Sequence, residues 1–521
     1  MNINQTTKIT TLKIKRALIS VADKSGLIDF VKGLLQWDIE IISTGGTYNE
    51  LLKSGISVKT IEDFTGFPEI LGGRVKTLNP RIFGAILANL NNIEHIKEVE
   101  KLEIPTIDLV VVNLYPFDKQ SLKQSLPLEE AIELIDIGGQ ALLRAAAKNF
   151  ENKVVICNPS RYNILIEELK KNKGCVSYNT RLEFAKEVFQ YTFRYEAYVA
   201  KYFSSIGESN KKMPETFSLL YRKVSELRYG ENPHQQAALY GDFYNYFEKL
   251  HGKELSFNNI VDIEAAYELI SEFTEPTAAI IKHTNPCGVG SDDKLFNAYQ
   301  KAYTTDPKAA FGGVIAFNRE LDLETAKAVN ELFTEVIIAP NFPPEVLEFL
   351  RKKKDRRLIR SLKPLDEEIS IKKIAGGILV QEVDRENISR NDLKVVTKRQ
   401  PTEEEISAML YGWRVVKHLK SNAIVFSRPD RTIGVGAGQM SRVDSTKFAI
   451  LKAKKAKLDL KGSAMASDGF FPFPDSIKEA AKVGVTAVIQ PGGSIRDAEV
   501  IKAADEKNMA MVFTGIRHFK H

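Results

Sequence analysis

Lys282 and His283 stand side by side in the run Ile281-Lys282-His283-Thr284-Asn285-Pro286-Cys287-Gly288, directly after the apolar stretch Ala278 to Ile281. An imidazole can take a proton from a weak nucleophile near neutral pH, and a neighbouring ammonium can stabilise the negative charge that then develops. The apolar stretch predicts a strand that breaks into a turn within this run. The pair is therefore expected at an exposed strand end, where α/β proteins build active sites. Lys-His pairs also arise by chance and Asn-Pro is ordinary turn chemistry, so the flanking residues must carry the case.

Other chemistry-bearing strings lie in the first 200 residues. Thr44-Gly45-Gly46-Thr47 joins a strand pattern to a helix pattern, and its glycines let backbone N–H groups approach an anion at the positive helix end. Thr65 to Leu78 (TGFPEILGGRVKTL) sets the cations Arg74 and Lys76 and the hydroxyl of Thr77 among glycine and proline breakers, the composition of a functional loop. Asp136-Ile137-Gly138-Gly139 precedes a helical pattern on which Arg144 and Lys148 share a face at a spacing of four. Asp136 reads equally well as a plain helix cap.

These residues need a scaffold. A chain of 521 residues exceeds the size of one core, so two or more domains are expected. Strand patterns (Ala17 to Val21, Ile39 to Ser43, Leu109 to Val112, Val154 to Cys157) alternate with helix patterns (Leu27 to Leu35, Tyr48 to Lys53, Tyr162 to Lys170), which predicts a parallel sheet flanked by helices. Arg181 to Phe203 reads as one long amphipathic helix whose stripe of Phe184, Val188, Tyr191, Tyr195, Tyr198 and Tyr202 is assigned to packing. The polar stretch Ser204 to Thr216 lacks apolar periodicity and is taken as the linker, giving domains 1–205 and 217–521 joined by 206–216. Beyond it, strand patterns recur at Ala278 to Ile281, Val314 to Phe317, Val336 to Ala339, Gly377 to Val380, Ala423 to Phe426, Ala487 to Gln490 and Met511 to Phe513. That many strands could form two similar lobes, although no repeat is evident in the residues.

The 73 basic and 67 acidic side chains leave a net charge of +6, suited to anionic small molecules more than to a nucleic-acid surface. Three scattered cysteines and an N-terminus without an apolar core predict a reduced, cytoplasmic protein, and no apolar run is long enough to span a membrane.

The strings SVADKSG, STGGT, TGFPEILGGRVKTL, NLYPF and DIGGQALLRAAAKN closely resemble the inosine monophosphate (IMP) cyclohydrolase domain of a bifunctional purine-biosynthesis family. The match runs through most of residues 12 to 200. The resemblance implies a methylglyoxal-synthase-like α/β fold that closes the second purine ring by dehydration. It implies Lys148 as the proton donor or acceptor, with Lys76, Tyr115 and Asp136 lining the site. Asp23, Lys24, Thr44, Gly45, Gly46, Thr47, Arg74, Val75, Thr77, Asn113 and Ile137 would hold the nucleotide. Ala22 stands where many of the family carry serine.

A second set of strings, RYGENPHQ, ELSFNN, IKHTNPCG, AFGG, SNA, GVGAGQ, SDGFFPF and QPGGS, covers 218 to 521 and is similar to the same family's AICAR (aminoimidazole carboxamide ribonucleotide) transformylase domain. The resemblance implies tandem cytidine-deaminase-like lobes and formyl transfer from 10-formyltetrahydrofolate, a co-substrate, to the 5-amino group of AICAR, giving FAICAR, which the first domain cyclises to IMP. His283 would be the base, Lys282 the charge stabiliser and Asn422 the positioning group. Arg228, Tyr229, Phe311, Gly312, Glu335, Arg442, Val443, Phe470, Arg517 and Phe519 would bind nucleotide or folate. A homodimer with transformylase sites at its interface is implied, with no catalytic metal, nucleic acid or membrane partner.

Two rival readings are kept. Pro286-Cys287 after a histidine suggests a zinc nucleobase deaminase, but a second cysteine three residues on and an H-x-E element are missing. The basic run Arg351 to Arg357 would suit an RNA-binding module, yet it lacks interleaved aromatics and reads more simply as a solvated helix end.

Overall fold

The computed structural model describes residues 11–115, 117, 127–204, 206 and 213–521. The chain forms two compact units, Met1–Leu220 and Tyr221–His521. Within the expected linker, residues 207–212 lie outside the described ones.

In the first unit, β1 (Thr11–Lys13) pairs antiparallel with β7 (Cys175–Ser177), apart from a five-stranded sheet. That sheet contains β2 (Arg16–Val21), β3 (Glu40–Ser43), β4 (Lys59–Thr60), β5 (Leu109–Asn113) and β6 (Val154–Ile156) in the order β4-β3-β2-β5-β6, all parallel. Every residue of β5 is buried, as a central parallel strand with helices on both faces requires. The expected alternation is thus present, with one shift. The helix expected from Tyr48 begins at Gly45 and runs to Lys53. Both glycines of the Gly-Gly pair therefore open that helix, Gly45 with a positive φ of 55°.

The long helix spans Tyr178–Ser204 and buries Phe184, Val188, Tyr195 and Tyr202. Phe184 packs on one side of the sheet with Leu27, Phe30, Leu34 and Tyr162, and Val188, Tyr195 and Tyr202 pack on the other with Leu142 and Leu143.

The second unit is organised by one twelve-stranded sheet. Its strands are β10 (Phe247–His251), β11 (Thr277–Lys282), β12 (Asn285–Ser291), β13 (Val314–Phe317), β14 (Val336–Ala339), β15 (Arg357–Ser361), β18 (Lys394–Val395), β19 (Ile424–Arg428), β20 (Arg431–Gly436), β21 (Ala464–Ser467), β22 (Ala487–Gln490) and β23 (Ala510–Phe513). Two hairpins stand outside it, β8 (Lys223–Leu227) with β9 (Ala237–Tyr240), and β16 (Ile369–Ile374) with β17 (Gly377–Glu382).

The strand order is β10-β15-β14-β13-β11-β12-β20-β19-β21-β22-β23-β18, and each half repeats the other read outward from the centre. An antiparallel hairpin comes first (β12 with β11, β20 with β19), then an antiparallel neighbour (β13, β21), two parallel strands and an antiparallel edge. The halves meet where Gly290 of β12 pairs with Arg431 of β20.

A trace of this repeat survives in the residues. Both central strands carry Gly-Val-Gly, at 288–290 and 434–436, and in both the glycines let the following helix press on the strand. A Cβ at Gly288 would lie 2.1 Å from the carbonyl oxygen of Ala302, in the helix Leu295–Thr305. One at Gly436 would lie 2.0 Å from that of Ser445, in the helix Arg442–Lys455. Gly434 and Gly436 of the GVGAGQ string are thus packing glycines within a strand, whereas Gly438, at φ 69° with open space around it, lies beyond the strand end.

Candidate functional sites

In the first unit, a pocket of about 590 Å³ opens at the carboxyl ends of β2, β3 and β5, a size that holds a nucleotide. Lys24, Thr44, Gly45, Gly46, Thr47, Arg74, Lys76, Thr77, Asn113, Tyr115, Asp136 and Ile137 line it, together with Glu69 and Glu133, which sequence reasoning missed. A Cβ at Gly45 would lie 3.6 Å from Lys76 Nζ, and one at Gly46 would lie 3.9 Å from Lys24 Nζ. Two ammonium groups thus flank the N-terminus of the helix Gly45–Lys53, an arrangement that attracts a phosphate.

Some of these side chains are already engaged. Asn113 Oδ1 accepts the N–H groups of Ala22 (2.7 Å) and Asp23 (2.8 Å), and its Nδ2 donates to the Asp23 carbonyl (3.0 Å). Thr47 Oγ1 accepts the Val21 N–H (2.9 Å) and donates to the Val21 carbonyl (3.0 Å). Both shape the loop after β2. Arg74 pairs with Glu133 across two segments of the pocket wall. Asp23 is exposed, its carboxyl held below the usual carboxylate range chiefly by Ser25. Val75 bridges Ile70 within the loop, and neither Asp23 nor Val75 is among the pocket-lining residues.

Asp136 caps the helix Gly138–Lys148, accepting the Gly139 N–H at 2.7 Å, and it also faces the pocket. The cap and the site reading therefore hold together. Burial pushes its carboxyl above the ordinary value, while the Gly139 N–H and the Lys76 ammonium pull it back. Two tyrosines of the long helix brace this wall: Tyr195 Oη accepts the Asp136 N–H (2.7 Å), and Tyr191 Oη accepts the Leu114 N–H (2.9 Å), one residue before Tyr115. The only signal in the sequence was that the apolar stripe used tyrosine where phenylalanine or leucine would have packed as well.

Lys148 is separated from this group. It ends the eleven-residue helix that Gly138 begins, and with Arg144, Phe83, Leu87 and Phe189 it lines a different depression. At ~1.5 Å per residue, the helix ends are about 16 Å apart.

In the second unit, β11 ends at Lys282, His283 and Thr284 form the turn, and β12 begins at Asn285. The turn falls two residues earlier than Asn-Pro, because Asn285 and Pro286 pair with Lys282 and Ile281. His283 and Thr284 take positive φ angles of 52° and 63°. Lys282 Nζ donates to the Phe311 carbonyl at 2.8 Å, and the next residue, Gly312, at φ 74°, donates its N–H to the Phe333 carbonyl at 2.8 Å. Glu335, just before β14, accepts from Asn259 Nδ2 at 3.0 Å and faces Arg357 at 3.5 Å.

A second group comes from the other half of the sheet. Asn422 Oδ1 accepts from Arg442 at 2.9 Å, and Arg442 also contacts the fully buried Asp468 at 3.1 Å and the Phe470 carbonyl at 3.2 Å. The guanidinium groups of Arg517 and Arg442 lie 4.4 Å and 6.0 Å from the Phe519 ring. Val443 follows Arg442 in the first turn of its helix.

Asn285 joins the two groups. Its Nδ2 donates to the His283 carbonyl and its Oδ1 accepts the Lys420 N–H, both at 3.0 Å, two residues before Asn422. Arg228 and Tyr229 follow β8 and contact each other at 5.4 Å. Their segment is tied to the helix Phe257–Ile270 by Asn258, which donates to the Glu231 carbonyl at 3.3 Å.

Among the described residues, no three His, Cys, Asp or Glu side chains converge as metal ligands, and no helix is long and apolar enough to cross a membrane. Burial pushes the Cys287 thiol up to about 12. In the basic run, Arg356 is buried against Asn330 (2.9 Å) and Arg357 turns to Glu335, so two of its cations serve the fold.

Residues 146–452 match the family described as AICARFT/IMPCHase bienzyme, and residues 26–141 match the MGS-like domain. The chain is 52% identical over 519 residues to the bifunctional purine biosynthesis protein PurH of Chlorobium chlorochromatii (strain CaD3), covering 98% of this chain and 99% of that protein. It is 49% identical over 512 residues to PurH of Thermoanaerobacter sp. (strain X514), covering 97% and 100%.

Proposed function

This chain belongs to the AICARFT/IMPCHase bienzyme family, and we infer that its two units divide the family's two reactions between the sites described above. The reactions are the last two of IMP synthesis: formyl transfer from 10-formyltetrahydrofolate to AICAR, then dehydrative ring closure of FAICAR. The first unit is assigned to ring closure, with a boundary in 206–216, and the second to transfer.

The observation that carries the transfer assignment is the tight turn that sets His283 directly after Lys282 at the end of β11, tied through Asn285 to the Asn422 segment. The 5-amino group of AICAR is conjugated with its ring and is a poor nucleophile. His283 removes its proton as the nitrogen attacks the formyl carbon. Lys282 stabilises the tetrahedral oxyanion that results, and as it collapses the C–N bond to folate breaks and the proton held by His283 passes to the departing folate nitrogen. Asn422 orients the reacting groups. Arg228, Tyr229, Gly312, Glu335 and Arg442 serve nucleotide binding, while Phe311, Val443, Phe470, Arg517 and Phe519 complete the pocket for nucleotide and pterin.

Ring closure needs no external nucleophile. The carboxamide nitrogen attacks the adjacent formyl carbon, and water leaves, so the site mainly orients FAICAR and moves protons. The phosphate is assigned to the Gly45–Gly46 helix end with Lys24, and proton transfer to Lys76, Tyr115 and Asp136. Lys148 stands too far along its helix to join them within one chain, so its role in ring closure calls for delivery by a second copy. The reading accordingly includes a homodimer, with transformylase sites at its interface, in the cytoplasm.

A coupled assay tests the whole reading. Purified chain supplied with AICAR and 10-formyltetrahydrofolate should release IMP, and FAICAR alone should yield IMP without folate. Accumulation of FAICAR with no IMP would remove the cyclisation assignment.

A further inference from the structure

His283 and Thr284 occupy the two turn positions between β11 and β12, both with positive φ. Two-residue hairpin turns of this kind favour Asn-Gly or Gly-Gly, because L side chains with a Cβ resist that backbone region, and β-branched ones such as threonine resist it most. The local sequence therefore opposes the conformation it adopts, and something outside the turn must hold it.

Asp262 does so. It lies midway along the helix Phe257–Ile270, 21 residues before His283, and its carboxylate takes both turn N–H groups: Oδ1 accepts from Thr284 at 2.7 Å and Oδ2 from His283 at 3.3 Å. With the His283 carbonyl bonded to Asn285, both backbone polar groups of His283 are taken by side chains. The same helix holds Glu335 through Asn259, so one rigid element fixes both the turn and the segment before β14.

We propose that Asp262 is a positioning residue for formyl transfer: by binding the two turn amides, it holds His283–Thr284 in the left-handed conformation that presents the imidazole next to Lys282. The proposal rests on the reading of His283 as the base, and it makes the charge and two acceptor oxygens of Asp262 matter for turnover without any contact to substrate.

The test uses the full-length chain, whose cyclisation of supplied FAICAR serves as an internal control. D262A should lower kcat for formyl transfer about a hundredfold, the scale of a misplaced catalytic group, with the KM for AICAR within about twofold and FAICAR cyclisation unchanged. Glycine accepts positive φ without strain, so the double variant D262A/T284G should recover at least about tenfold of that loss. D262N keeps one acceptor but sets an NH₂ group against the second amide; it should fall between wild type and D262A, be rescued by T284G in the same way, and carry the test if D262A does not fold. The proposal is overturned if D262A keeps kcat within about twofold of wild type, or if the loss is not recovered by T284G in either background. H283A separates the two ideas: transfer surviving in H283A removes the base assignment itself, whereas an inactive H283A beside a fully active D262A removes only the role of Asp262.

Discussion

Tyr195 Oη sits 2.7 Å from the Asp136 nitrogen and 3.1 Å from the Leu134 carbonyl oxygen, accepting from the first and donating to the second. One phenol thus fixes the backbone on both sides of Ile135 and sets the direction in which Asp136 faces the pocket. Tyr195→Phe keeps the ring packing and loses both bonds, at ~1 kcal/mol each. FAICAR cyclisation should fall on the order of tenfold in kcat, with formyl transfer by the same chain unchanged. Equal loss of both activities would show general destabilisation instead.

The separation of Lys148 from Lys76 predicts complementation. Lys76→Ala and Lys148→Ala chains, each inactive in ring closure alone, should regain roughly a quarter of wild-type cyclisation after mixing and subunit exchange, from one intact site in each mixed dimer. No recovery with both parents inactive would argue that Lys148 acts within its own chain, and a fully active Lys148→Ala would remove it from the chemistry.

His283→Ala should lower formyl transfer by at least about 10³-fold, the scale of a lost general base, while leaving cyclisation of supplied FAICAR intact. The measurement is stopped-assay turnover of AICAR against that of FAICAR on one preparation. Parallel loss of both would contradict two separate sites.

Lys153 makes a prediction about stability. Its side chain is fully buried, its Nζ has no hydrogen-bond partner, and burial pulls its ammonium down from 10.5 to about 8, against the opposing pull of Asp108. Between about 8 and 10.5 the unfolded chain binds this proton more tightly than the folded one, so the first unit should gain stability as pH rises through that window. Lys153→Met should raise stability at pH 7 by on the order of 1–3 kcal/mol and abolish the alkaline gain. Denaturant unfolding at pH 7 and pH 10 checks both.

The sheet of the first unit was legible because central parallel strands must be apolar throughout: Leu109 to Val112 and Val154 to Cys157 announce themselves by composition. Val314 to Phe317, Val336 to Ala339 and Ala487 to Gln490 were legible for the same reason. β12 and β20 were not, since their glycines read as turn formers; only the helices packed on them explain why a strand would carry Gly-Val-Gly. The paired halves of the large sheet were equally hidden, because equivalent strands need to share burial and direction but not residues.

For the sites, the sequence alone fixed which chemical groups are present: an imidazole next to an ammonium, two cations near a Gly-Gly helix start, a carboxylate at a second helix start. Those depend on residue type and on neighbours along the chain. Tertiary structure alone decided what holds them, since Asp262, Asn285, Tyr191 and Tyr195 act across 21 to 135 residues of separation, or from another element altogether, and no local pattern encodes such a bond. It also decided that Lys148 stands a helix's length from Asp136, because eleven helical residues carry a side chain along the axis by more than any lysine can reach back.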